Sequence, residues 1–226
     1  MESKDISAAE RYKRALEIAG GGAVIRKFTT MSRELENMER ETASQALEYQ
    51  LLDIDRLYEE AKRMEDSIQD FAKEIASLTN GKFHPAKIKS KDRAAFKSRI
   101  KYGNDLSRLM DIQRCTVEFP DLETMYKGIA TLKKRNYFSA EHRVSARIIS
   151  FEDRFQIGQR LTDGYCDIQL LLMVDEHVSE MQMNVTSMLH AKHMGGHRAY
   201  GSVRSSLKSH MNCTLYIQIQ KHKRKK

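Results

Sequence analysis

Two strand-like runs, Tyr165–Val174 and His177–Val185, stand on either side of Asp175-Glu176, and no other pattern constrains the chain as much. Two β runs around a two-residue polar loop predict a hairpin. In the second run Glu180, Gln182 and Asn184 alternate with Met181, Met183 and Val185. Side chains alternate across a strand, so the polar set shares one face and the apolar set the other. With a two-residue loop, Gln182 faces Gln169, Asn184 faces Asp167, and Tyr165 lies just beyond on the same face. That face collects Tyr165, Asp167, Gln169, Glu180, Gln182 and Asn184. Burying such groups without partners costs about 1–3 kcal/mol each. The face therefore either meets solvent, as antiparallel sheets commonly do, or lines a polar site; periodicity leaves both open.

The rest of the chain supplies helices and further strands for a sheet of the α+β or α/β kind. An amphipathic helix is expected over about Ala8 to Ala19, with Gly20, Gly21 and Gly22 as a flexible break. From Met31 to Asn80 there is neither Gly nor Pro, and Leu47, Leu51, Ile54, Tyr58, Ala61, Met64, Ile68, Phe71, Ile75 and Leu78 recur at steps of three and four. This stripe predicts one or two long helices packed on the chain's own domain or, alternatively, a coiled-coil seam. Lys87–Lys101 reads as a basic helix-like stretch, Leu106–Met110 as a short helix and Cys115–Phe119 as a strand. Leu122–Arg135 reads as a helix and Val144–Phe151 as a strand. Residues 1–80 thus form a helical extension, 82–204 the sheet domain, and 205–226 a C-terminal segment.

Charge is unevenly spread over the net +8. Residues 31–80 carry 13 acids and 6 bases, whereas 81–118 carry 10 bases and 4 acids, and Lys221–Lys226 adds five positive charges. A basic segment of this kind suits an anionic ligand. The basic tail suits an RNA contact or plain solubility. The longest apolar run, Leu170–Val174, falls far short of the roughly 20 residues of a membrane span. No secretory pattern opens the sequence, so a cytoplasmic location is expected, or delivery into a target cytoplasm without a cleavable signal. Cys115, Cys166 and Cys213 form no CxxC pair and read as structural. His190, His193 and His197 share a helical spacing, but no nearby Cys or acid completes a zinc shell. Gly20–Gly22 lacks the Lys-Ser/Thr of a P-loop, and no serine carries a nucleophile-elbow pattern.

Asp111, just before the Cys115 strand, and Glu180, in mid-strand, are the candidate carboxylate pair. Mg²⁺ with a polyphosphate takes one or two carboxylates, and such a carboxylate can also accept a proton from an attacking hydroxyl. In order along the chain stand Lys87-Ile-Lys89-Ser90, Lys97, Asp111-Ile-Gln-Arg114, Gly164-Tyr165-Cys-Asp-Ile-Gln169 and Glu180-Met-Gln182. Met188 to Tyr200, with His197-Arg-Ala-Tyr200, closes the series. This series resembles the synthetase domain of the RelA/SpoT family over about 120 residues. The resemblance implies a nucleotidyltransferase-like mixed β-sheet flanked by helices. It also implies Mg²⁺-dependent transfer of pyrophosphate from ATP to the 3′-hydroxyl of a purine nucleotide. By the same resemblance Asp111 and Glu180 are the metal-binding and catalytic carboxylates. Lys87, Lys89, Ser90, Lys97, Arg114 and Arg154 contact ATP phosphates, and Tyr165 stacks on the acceptor base. Asp167, Gln169, Gln182 and Asn184 complete the polar face.

The sequence departs from the family pattern at several places. Gln169 stands where the family usually has His, Asn184-Val185 where it has Arg-Thr, and Lys87 where Arg is common. The basic residues before Gly164 are reduced to Arg154 and Arg160. Donor-side residues therefore match better than acceptor-side ones. The alternatives are a toxin-type relative acting on adenine nucleotides or the 3′ end of tRNA, and a non-catalytic nucleotide- or RNA-binding module. A third is an interaction protein built around the long acidic helix at 31–80, which would cover the basic site; an oligomer through the N-terminal helix is a separate expectation.

Overall fold

A computed structural model describes residues 6–37, 54–138, 146–156 and 164–196. Leu47, Leu51, Val144, Arg160, His197, Cys213 and the basic tail lie outside them. Helices α1 (Ala8–Ile18), α2 (Gly21–Glu36), α3 (Ile54–Arg63) and α4 (Glu65–Leu78) lead into strand β1 (Lys82–Pro85). Helix α5 (Lys91–Tyr102), a 3₁₀ turn (Leu106–Arg108), β2 (Arg114–Phe119) and α6 (Leu122–Lys134) follow. Then come β3 (Ala146–Asp153), β4 (Ile168–Val174), β5 (His177–Val185) and α7 (Thr186–Ala191), which runs into a π-helical turn at Lys192–Gly196. The five strands form one mixed sheet in the order β1-β2-β5-β4-β3. Among the described strands only β2 and β5 pair in parallel. This is the mixed β-sheet flanked by helices, of the α+β class, that the sequence reading expects.

The hairpin register follows its loop. Gln169 pairs with Gln182 and Val174 with His177. Asp175 and Glu176 both adopt left-handed φ, 44° and 69°, the backbone that matches the twist of two-residue hairpins. The apolar sides of β2, β4 and β5 place Val117, Phe119, Leu170, Leu172, Met181, Met183 and Val185 in the main core. Ile68, Phe71 and Ile75 of α4 and Met125, Ile129 and Leu132 of α6 complete it. Each such side chain contributes about 1.5–3 kcal/mol on burial. Tyr12 and Leu16 of α1 and Ile25 and Leu35 of α2 join the same core, so the helices before residue 80 pack on the sheet itself. Leu57, Tyr58 and Ala61 of α3 form a second cluster with Ala94, Leu109 and Ile112, beneath the basic segment.

Three local expectations change. Gly21 and Gly22 make the first turn of α2 instead of a flexible break. The corner is fixed because Gly20 takes φ 116° and the Ala19 carbonyl accepts from Leu122 N–H at 3.0 Å. The basic helix begins at Lys91 and not Lys87, because the Lys89 N–H is committed to the Ile112 carbonyl at 2.9 Å. Strand β1 had no sequence counterpart: four residues with no clear alternation are ordered by pairing His84 opposite Thr116. No helix among the described residues is long and apolar enough to cross a membrane.

Two buried polar features hold the fold away from the hairpin's polar face. Asp153 is fully buried and accepts from Ser32 (2.7 Å), Tyr126 (2.8 Å), Gln156 (3.0 Å) and the Phe155 N–H (3.0 Å), tying α2 and α6 to the end of β3. His177 is buried with neither ring nitrogen hydrogen-bonded among the described residues, and burial pushes its pKa down to about 4. A histidine depressed below its ordinary 6.5 contributes stability that is complete above pH 6.5 and is lost as pH falls toward 4. Full protonation costs about 3 kcal/mol. Urea melts should therefore show stability falling from pH 6.5 to 5, where most carboxylates hardly titrate. His177→Leu should flatten that slope, and an unchanged slope would refute the assignment.

Candidate active site

The parallel pairing of β2 with β5 assembles the site. It sets Arg114 opposite Glu180, and the Glu180 N–H donates to the Gln113 carbonyl at 3.1 Å. Asp111, on the turn entering β2, comes close enough for its charge to act on the Glu180 carboxyl. The Lys89 N–H bond to Ile112 draws the segment after β1 onto the same turn, so that Lys89 contacts Asp111 directly. Lys97, one face along α5, reaches the same Asp111 oxygen at 2.9 Å. Asp111 Oδ2 thus carries two ammonium groups, while its Oδ1 is buried with no hydrogen-bond partner among the described residues.

These charges bias each other strongly. Burial alone would raise the Asp111 carboxyl, but Lys97 and Lys89 outweigh it and hold the pKa below its ordinary value. Burial likewise opposes charge on Lys97, and Asp111 overturns it, so Lys97 is raised. Lys89 is only 8% exposed and shares that one carboxylate with Lys97, so burial wins there and its pKa is lowered. Glu180 is pushed the other way. Burial, then the Asp111 charge, raise its pKa, against hydrogen bonding from Gln182 and the charge of Lys97. The Gln182 amide donates to Glu180 Oε1 at 2.8 Å and the Gln169 amide to Oε2 at 2.5 Å. A carboxylate held by two amides, and raised in pKa, is oriented and basic enough to take a proton from a hydroxyl.

The other end of the hairpin face is a closed polar cluster. Tyr165 donates to Asp167 Oδ2 (3.0 Å) and accepts from Asn184 (2.9 Å). Arg154 grips Asp167 Oδ1 through Nε (2.6 Å) and a terminal nitrogen (2.5 Å). The face is therefore a lined, largely buried site, with Asp167 and Asn184 wholly out of solvent. The Tyr165 ring is itself buried, edge-on to Tyr12 with centroids 5.5 Å apart, with the Lys192 ammonium 4.9 Å from its centroid.

Of the sequence candidates, Asp111, Lys89, Lys97, Gln169, Glu180 and Gln182 meet in one constellation. Arg114 adjoins it, half-buried, its Nε without a partner among the described residues. Arg154, Tyr165, Asp167 and Asn184 bond to one another. Lys87 and Ser90 are exposed, Ser90 at the start of α5. Among the described residues no three metal-ligating side chains cluster. Mg²⁺ bound through phosphates requires fewer, and Asp111 Oδ1, without a hydrogen-bond partner among the described residues, suits that need.

Three contributors escape the sequence reading. Gln113 anchors its amide on the Ala61 carbonyl of α3. Tyr58 of the same helix donates to the Lys89 carbonyl at 2.5 Å, and burial and the Asp111 charge push its pKa up to about 12. Both look like stripe or spacer residues in the sequence, since their partners lie far along the chain. Lys192 is the third. Tyr58→Phe keeps the packing and deletes the bond, at about 0.5–1.5 kcal/mol. If Lys89 grips ATP, the KM for ATP should rise about threefold to tenfold, with the acceptor KM unchanged. Steady-state kinetics with an unaltered ATP KM would remove Tyr58 from this role.

No family model matches the sequence, and no curated protein matches it. Among solved structures the chain is similar to the type VI effector Tas1, crystallised with its immunity protein. The identity is 21% over 67% of this chain and 74% of that one, with a TM-score of 0.46. It is also similar to small alarmone synthetase 1 from Bacillus subtilis bound to its product pppGpp, at 15% identity over 66% and 81% of the two chains and a TM-score of 0.48. A GTP pyrophosphokinase family protein from Streptococcus pneumoniae follows at 14% identity over 64% and 70%, with a TM-score of 0.38. These are likenesses of architecture only.

Proposed function

We propose that this chain is a pyrophosphotransferase of the RelA/SpoT kind, moving pyrophosphate from ATP to the ribose 3′-hydroxyl of a purine nucleotide. The observation that carries this reading is the pairing of buried Glu180, raised in pKa and oriented by two amides, with an Asp111 that holds two lysines. Glu180 accepts the hydroxyl proton as the 3′-oxygen forms its bond to the β-phosphorus. The bond from that phosphorus to the α,β-bridging oxygen breaks, and AMP leaves with the electron pair. Lys89, Lys97 and Arg114 neutralise phosphate charge, which is most of what such a transfer needs. Mg²⁺, held by Asp111 with Glu180 adjacent, would supply charge neutralisation on the phosphates when bound.

The test incubates the full chain with ATP and Mg²⁺ and, separately, GDP, GTP, ADP, ATP and tRNA. AMP release with a pyrophosphorylated acceptor establishes the reaction and names the acceptor, including the tRNA alternative. A folded, nucleotide-binding protein that releases no AMP with any acceptor would replace this reading with a non-catalytic binding module.

A further inference from the structure

Lys192 brings a positive charge into the hairpin site without a carboxylate of its own. Its ammonium donates to two neutral oxygens, Tyr165 OH at 3.2 Å and Gln182 Oε1 at 3.5 Å, and forms no ion pair among the described residues. The neighbouring carboxylates are already engaged, Asp167 by Arg154 and Tyr165, and Glu180 by the amides of Gln169 and Gln182. Among the described residues, Lys89, Lys97, Arg114, Arg154 and Lys192 stand around this face against four carboxylates, the buried Asp111, Asp167 and Glu180 and the exposed Glu152 opposite Gln169. Burial lowers the Lys192 pKa, with Asp167 and Glu180 opposing and Arg114 and Arg154 adding to the effect. A partly desolvated ammonium short of an anion is costly in itself and is relieved when an anion arrives. The ammonium also lies over the Tyr165 ring, at 4.9 Å from its centroid.

We infer that Lys192 is an anion-binding residue for the second substrate, holding a phosphate of the acceptor at the Tyr165–Gln182 end of the hairpin face. This subsite lies on the helix after β5, on different elements from the lysines of Asp111. The word acceptor rests on the reaction proposed above, whereas the phosphate site itself does not. A charge-assisted hydrogen bond from an ammonium to phosphate is among the stronger polar contacts, and a cation over an aromatic face tolerates Arg in place of Lys.

Calorimetric titration of the full chain with GDP, ADP, guanosine, tRNA and Mg²⁺-α,β-methylene-ATP tests the site directly. In Lys192→Met, affinity for whichever of GDP, ADP or tRNA the wild type binds should fall about tenfold or more. Guanosine and the ATP analogue should stay within about twofold, and Lys192→Arg should retain phosphate binding within about threefold. A loss confined to tRNA assigns the phosphate to RNA, and a loss on GDP or ADP assigns it to a free nucleotide. Lys192→Gln replaces the Met variant if thermal melting shows that one unfolded. Unchanged affinity in the neutral variants, equal losses for guanosine and GDP, or a wild type that binds no phosphorylated compound would each overturn the inference. Phosphate binding that depends on Lys192 in a protein with no turnover would sink the proposed reaction and leave this site standing.

Discussion

Glu180→Gln is expected to lower AMP release by about 10²- to 10⁴-fold, the usual range for losing a positioned general base, with ATP-analogue affinity held within about threefold. The substitution preserves size but replaces an acceptor-only carboxylate with an amide that cannot take a proton. Its NH₂ group would also face one of the two amide donors, Gln169 or Gln182, that now hold the carboxylate. Single-turnover AMP release, set beside analogue binding, separates lost chemistry from lost binding. A variant with wild-type turnover would exclude Glu180 as the base and with it the proposed mechanism. The wild-type rate should show an acid limb above the ordinary glutamate value of about 4.3, because burial and the Asp111 charge raise this pKa. The rate climbs with pH through that limb as Glu180 becomes the charged, proton-accepting form. Its ionisation runs against folding stability: a raised carboxyl contributes most when protonated, and that contribution is lost as pH rises through the folded pKa.

Asp111→Asn should have the largest effect on stability and should lower activity as well. Removing the carboxylate strands Lys89, which is 8% exposed, and Lys97 beside it. Breaking a buried pair from one side costs about 3–5 kcal/mol, because the remaining charge is left uncompensated. Urea unfolding should report a loss of that order, and adding Lys89→Met should recover part of it, a non-additivity that marks direct coupling. Asp111 is held below its ordinary pKa, so its contribution is present above about pH 4 and is lost as pH falls through the folded value. Asp111→Asn should therefore also be less sensitive to acid than the wild type. Turnover should fall with it, since the same carboxylate positions both lysines. Wild-type stability in Asp111→Asn would show that the three groups are not coupled as described.

Both effects arise where two distant stretches meet, and that is where the sequence was least informative. The hairpin needed only local information: alternation assigned the faces, and a two-residue loop fixed Gln169 opposite Gln182. Helix α6 was equally legible, expected over Leu122–Arg135 and found over Leu122–Lys134, since what starts it, the Asp121 side chain accepting from the Thr124 N–H, is local. Helices α3 and α4 were visible as a periodic stripe, but what they cover was not. The flexible break expected at Gly20–Gly22 became a tight helix start because Ala19 is tied to Leu122, a contact no local pattern records.

The candidate residues were named by order and type, and their chemistry was decided by the fold. Parallel pairing of β2 with β5 is a non-local choice that brings Asp111 to Glu180, and a second one, the Lys89 N–H bond to the Ile112 carbonyl, helps bring the lysines to Asp111. Alternation could not say whether the polar face of β5 met water or a lined pocket. Tyr12, Arg154 and Lys192, from three separate elements, close it over. By itself the sequence determined which side chains share a face, because strand and helix periods are properties of the local backbone. Burial, pairing of charges and the resulting pKa shifts depend on what packs opposite each face, so only the tertiary structure decided those.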